Sequence, residues 1–108
     1  KEGSNMIQHI VMFKFKETAN GKTKAENLRE AKARMMALKD QIPQIQGMEV
    51  YFGAEGSAPA NYDYILVSQF KNLEELETYQ KHPAHVAFGQ FVKELREPDG
   101  RACIDYQL

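Results

Sequence analysis

Ile7–Lys16 reads IQHIVMFKFK, and its two faces decide the fold. Ile7, His9, Val11, Phe13 and Phe15 alternate onto one side, the period of two that marks a strand. On the other side stand Gln8, Ile10, Met12, Lys14 and Lys16, and the early part of that side is apolar too. A strand that calls for burial on both faces needs a layer on each. Tyr62–Phe70, YDYILVSQF, repeats the pattern: Tyr64, Leu66 and Phe70 point one way, Ile65 and Val67 the other.

Between these strands, Thr23-Lys24-Ala25-Glu26 has the spacing of a capping box. The Thr hydroxyl can accept from a free backbone N–H while Glu26 reaches back. Leu28, Ala31, Met35, Leu38 and Ile42 follow at helical spacing, so an amphipathic helix is expected to run to Gln41 or Ile42, before Pro43. Asn20-Gly21 marks a turn ahead of it, and Met48–Phe52 reads as a strand. Gly53–Asn61 is a loop. Beyond the third long strand, Asn72 with Glu75 caps a short helix through Leu73, Leu76 and Tyr79.

The short helix runs into YQKHPAHVAFG, Tyr79–Gly89. Proline disfavours the α conformation in the residue before it but fits the first helical position. The helix should therefore break at His82 and restart at Pro83, with Phe88, Phe91, Val92 and Leu95 as its apolar stripe. Pro98-Asp99-Gly100 reads as a turn and Arg101–Gln107 as the last strand. The order is β-α-β-β-α-β, the ferredoxin-like α+β arrangement of a four-stranded antiparallel sheet with helices on one face. Two helical segments cover one face only. The bare face predicts a homodimer in which a second copy of the sheet covers it.

The chain has 108 residues with a net charge of −1, which points to one domain, residues 6–108, without an electrostatic footprint for nucleic acid. No apolar run is long enough for a membrane span, and the start has no signal-peptide pattern. The single cysteine, Cys103, excludes an intrachain disulfide and fits a reducing cytoplasm. Lys1–Asn5, KEGSN, reads as an appended remnant outside the fold.

His85 shares a stripe with Phe88 and Val92, so it should point under the helix towards the sheet. A helix N-terminus and burial both favour its neutral ring, the form that can act as a base near pH 7. The alternative is a core histidine bonded to a backbone carbonyl. Tyr79 offers an apolar body and a polar tip, and could equally be a core residue with its hydroxyl at the surface. His9 lies on an apolar strand face and matters chemically only if it shares a cavity with His85. His82 has the place of a helix cap. No metal is expected: the chain break separates His82 from His85, and no carboxylate or thiol lies at ligand spacing beside them. Cys103 has no positioned basic partner in the sequence and reads as an inert strand residue.

HIVMFKFK at His9–Lys16, LKDQIPQIQGMEVYFG at Leu38–Gly53, YDYILVSQFKNLEELETYQKHPAHVAFGQFV at Tyr62–Val92 and IDY at Ile104–Tyr106 resemble the stress-responsive α/β-barrel domain family. The resemblance spans Met6–Leu108, and its most specific part is the Y-x-x-H-P-x-H block. It implies a dimeric α+β barrel in which two sheets face each other. One plant branch of that family is a polyketide cyclase, which closes a linear poly-β-keto thioester by intramolecular aldol condensation with a Tyr and a His from this block. Carried over, the catalytic pair is Tyr79 and His85, with His9 contacting substrate. The chemistry implied needs no cofactor, because a β-dicarbonyl already has an acidified C–H. Two readings remain open. One is a cyclase- or lyase-like enzyme acting on a small β-dicarbonyl or phenolic compound. The other is a non-catalytic stress-responsive dimer that binds an apolar ligand or has only a structural role.

Overall fold

The structure, a computed structural model, describes residues 6–108, so the reading of Lys1–Asn5 lies outside the described residues. The elements are β1 (Ile7–Phe15), a small hairpin of β2 (Thr18–Ala19) and β3 (Lys22–Thr23), α1 (Lys24–Leu38), β4 (Gly47–Phe52), β5 (Tyr64–Phe70), α2 (Leu73–Lys81), α3 (Pro83–Leu95) and β6 (Arg96–Gln107). The four long strands form an antiparallel sheet in the order β4-β5-β1-β6. With the hairpin set aside and α2–α3 taken as one broken helix, this is the expected ferredoxin-like order.

Local chemistry explains where the elements begin and end. Asn20 and Gly21 take positive φ values of 55° and 75°, which suit a tight two-residue hairpin turn. Both halves of the Thr23–Glu26 capping box form at the start of α1. Its end differs from expectation. The α-helix stops at Leu38, and the chain continues through tighter bonds, Asp40 N–H to the Ala37 carbonyl and Gln41 N–H to the Leu38 carbonyl. Ile42 is still fully buried after this turn, so the apolar spacing outlasts the α-helix that it resembles. Asn27, also buried, donates from its side chain to the Ala19 carbonyl at 3.1 Å and ties α1 to the hairpin.

The last strand also begins earlier than expected. Pro98-Asp99-Gly100 is an irregularity inside β6 rather than a turn ahead of it. Phe13 pairs with Arg101, whereas Phe15 pairs with Arg96, so β6 carries extra residues opposite β1. Gly100 is buried against β1, where a Cβ would come within 2.7 Å of the Lys14 carbonyl oxygen.

Burial alternates along β1 and β5 with period two. Val11, Phe15, Tyr64, Leu66 and Phe70 meet Ala31, Met35, Leu38, Leu76, Val92 and Leu95 of the helices in one apolar core. Among the described residues no helix covers the opposite face. There the register aligns Tyr51, Ile65, Met12 and Ala102 in one row and Glu49, Val67, Ile10 and Ile104 in the next. Tyr51 and Ile104 are more than half exposed. A third row is polar: Gln69 donates to Gln8, which donates to the Tyr106 hydroxyl.

Candidate active site

The site is built on the break between α2 and α3. His82 leaves α2 with an extended backbone, ψ 135°, and its Nδ1 accepts the Ala84 N–H at 3.0 Å. Pro83 takes the first turn of α3, where no backbone donor is needed. His82 and Pro83 are thus spent on starting the helix, and two residues on His85 turns beneath it.

The His85 Nδ1 lies 3.1 Å from the Gln80 carbonyl oxygen. A carbonyl can only accept, so Nδ1 carries the proton and, in the neutral ring, Nε2 keeps its lone pair. Burial lowers the His85 pKa; the carbonyl bond opposes this, and the nearby His9, Arg101 and His82 lower it further. The neutral, base-competent ring is the favoured form near pH 7.

Tyr79, on the last turn of α2, is fully buried with its ring 4.4 Å from that of His85, centroid to centroid. It also packs against Phe70 at 4.8 Å. Among the described residues its hydroxyl has only a sulfur partner, Met35 Sδ at 3.9 Å. Burial pushes its pKa up, so it stays protonated and can donate. His9 is the third residue of β1. It is buried, stands edge-on to Tyr79 with centroids 6.2 Å apart, and pairs through Nδ1 with Asp105 on the neighbouring strand β6.

These three side chains line one cavity of about 240 Å³ between helices and sheet, together with Phe88, Arg96 and Arg101. The cavity is below the ~300–1,000 Å³ of pockets for drug-sized molecules, so an occupant would be small. It combines an apolar wall, a neutral imidazole with a free nitrogen, a protonated phenol and a second imidazole held by a carboxylate. Such a set can remove a proton from an activated carbon and stabilise the oxyanion left behind.

Asp105, Gln80, Arg96 and Arg101 were not singled out from the sequence. Asp105 faces His9 because β6 pairs with β1 in the register His9↔Asp105. The irregularity at Pro98–Gly100 fixes that register, and reading those residues as a plain turn conceals it. The apolar residues Ala102, Ile104 and Tyr106 go to the bare face, so the intervening Arg101, Cys103 and Asp105 turn to the helix side. Alternation alone could have shown that these three share a face.

Cys103 lies 3.8 Å from His9 Nδ1, so it does have an imidazole neighbour. Partial burial nevertheless pushes its thiol pKa up, away from the thiolate that a nucleophile requires. His9, Cys103 and Asp105 bring donor atoms within 4.8 Å of one another. The shared Nδ1 is already engaged by Asp105, which makes the group a hydrogen-bonded cluster.

Fold and site together define a ferredoxin-like α+β protein with a small acid–base pocket under a broken helix. The chain belongs to the stress responsive A/B barrel domain family, whose model matches residues 7–108. Olivetolic acid cyclase of Cannabis sativa is 27% identical over 94 residues, 84% of this chain and 87% of that protein. A dimeric protein of unknown function and ferredoxin-like fold from Bacteroides fragilis is 32% identical over 96% of this chain and 97% of its own, with a TM-score of 0.83. Hydroxynitrile lyase from Passiflora edulis superposes with a TM-score of 0.77 over 97% of this chain and 94% of its own; at 12% identity the likeness is one of fold.

Proposed function

We propose that the protein is a small-molecule-binding dimeric barrel that performs cofactor-independent acid–base chemistry of the cyclase or lyase type on a β-dicarbonyl or polyketide-like compound. The observation that carries this reading is that His85 lines one cavity with Tyr79 and His9. The His85 Nδ1 is tied to the Gln80 carbonyl, which leaves Nε2 as a base at that cavity. In this scheme His85 removes the proton between two carbonyls, and the Tyr79 hydroxyl exchanges its weak sulfur partner for the developing enolate oxygen. His9, oriented by Asp105, contacts the substrate. The same residues serve equally in the cyclase, where the enolate attacks a carbonyl of its own chain, and in a lyase running the reverse.

The direct test is deuterium uptake at the acidic C–H of a β-keto thioester such as acetoacetyl-N-acetylcysteamine. Replacing His85 with Gln is expected to slow enzyme-dependent exchange by about 10²–10⁴-fold while the melting temperature stays close to wild type. Exchange that is indifferent to His85, or a variant that unfolds with no effect on any ligand, leaves the second reading, a non-catalytic dimer that binds an apolar ligand. The fully buried Tyr79 with its hydroxyl against Met35 favours that alternative.

The dimer forms through the bare sheet face, where Ile10, Met12, Ile65, Val67 and Ile104 make an apolar patch with no helix over it. The Bacteroides fragilis relative, described as dimeric, supports a dimer. Sedimentation at micromolar concentration is expected to give twice the monomer mass, and a persistent monomer would overturn the barrel. Among the described residues no helix is long and apolar enough to cross a membrane. With a lone free cysteine, a reducing cytoplasm is the compartment that fits.

A further inference from the structure

Two guanidinium groups line the candidate cavity, and they are not equivalent. Arg96 Nη1 donates to the Glu97 and Pro98 carbonyls at 3.2 and 3.0 Å, so it is spent on holding the irregular start of β6. Arg101, opposite Phe13 on the helix-facing side of β6, is different. Among the described residues no carboxylate pairs with it. Its side chain hydrogen-bonds the Cys103 thiol on the same strand face, and it lines the cavity together with His85. A cation with no carboxylate partner among the described residues, at the wall of a small cavity beside a neutral base, is placed to receive an anion.

We infer that Arg101 selects a carboxylate-bearing substrate, so that the molecule taken into the cavity is a small keto or phenolic acid whose carboxylate lies on the Arg101 guanidinium. This rests on the cavity being a binding site, as proposed above, and adds the class of molecule. The planar guanidinium matches a carboxylate with two parallel hydrogen bonds. Anchoring at the β6 wall leaves the rest of the molecule to run inward towards His85 and Tyr79. Asp105, four residues along the same strand face, argues for a monoanion over a doubly charged phosphate, since it would repel the larger charge.

A matched pair of probes tests this: 4-hydroxybenzoate and its neutral counterpart 4-hydroxybenzamide, titrated calorimetrically at low salt and located by the ring resonances of His85. The acid is expected to bind the wild type about tenfold more tightly than the amide, the effect of a charge-assisted hydrogen bond. Added salt should shrink that preference, because Arg101 is exposed. Arg101→Gln should abolish the preference and leave amide binding unchanged, which also shows that the variant's cavity is intact. Equal affinity for acid and amide in the wild type overturns the carboxylate inference and leaves the pocket standing. An acid preference that survives Arg101→Gln overturns the assignment to Arg101. No binding of either probe counts against both the inference and the pocket reading.

Discussion

β4 and β6 both close the sheet at an edge, and both turn alternate side chains towards the helices. Followed across the sheet, the helix-facing rows change character from one edge to the other. One row runs Phe52, Tyr64, Phe13, Arg101; the next Val50, Leu66, Val11, Cys103; the third Met48, Ser68, His9, Asp105. At the β4 end Met48 and Val50 are buried, whereas at the β6 end Arg101, Cys103 and Asp105 are exposed. The same fold layer therefore holds a packed core on one side and a polar wall on the other, and the cavity lies towards the polar wall. What separates core from site in this protein is which side chains an edge strand brings to the shared face.

The sharpest way to break this comparison is to shorten one side chain in each half of the middle row. Leu66→Ala, on the packed side of the row although it also borders the cavity, is expected to cost about 2–5 kcal/mol, because the residue is buried among core side chains. Cys103→Ala, in the same row, should change stability by no more than about 0.5 kcal/mol, as befits an exposed position. Urea unfolding of both variants measures the difference. Similar losses at the two positions would mean that the β6 end is as much core as the β4 end.

The neighbouring histidines sharpen it next. His82 serves the backbone and His85 faces the cavity, although two residues separate them. His82→Leu is expected to cost roughly 0.5–2 kcal/mol, the loss of a cap. His82→Asn should keep both stability and ligand binding, since Asn is a good cap. A His82→Asn protein that folds normally yet loses deuterium exchange would show that the working histidine of the pair had been misassigned.

How much of this was legible beforehand follows the same divide. The packed half follows from local rules: alternation in β1 and β5, the capping box, and proline at the start of α3 each act within a few residues. The histidine break was readable for the same reason. The polar wall depends on a register between β1 and β6, strands about ninety residues apart in sequence, and on the irregular stretch before Arg101 that sets it. Nothing local to Asp105 names His9 as its partner. The stop of α1 at Leu38 was hidden differently. Ile42 keeps the helical spacing and is buried, so the pattern of apolar residues continues through a turn that is no longer α-helical.

The smallest expected effect concerns pH and again sets the two halves apart, because the packed half has few groups to titrate. Burial lowers the His85 pKa from its ordinary 6.5, so the folded protein disfavours the imidazolium relative to the unfolded chain. Above pH 6.5 both states hold the neutral ring, and the group is without effect on stability. As the pH falls below 6.5 the unfolded chain binds a proton first, so stability falls until the folded-state pKa is also passed. Other ionisable groups lie near His85, and a wild-type curve alone does not isolate it. The difference between wild type and His85→Gln does, because the remaining groups are common to both. The wild type is expected to lose slightly more stability than the variant between neutral pH and pH 5, read as the shift in urea midpoint at each pH. The opposite sign, a wild type gaining on the variant as the solution is acidified, would mean that the folded state prefers the imidazolium. His85 would then be an acid near neutrality, and the base would have to be sought at His9.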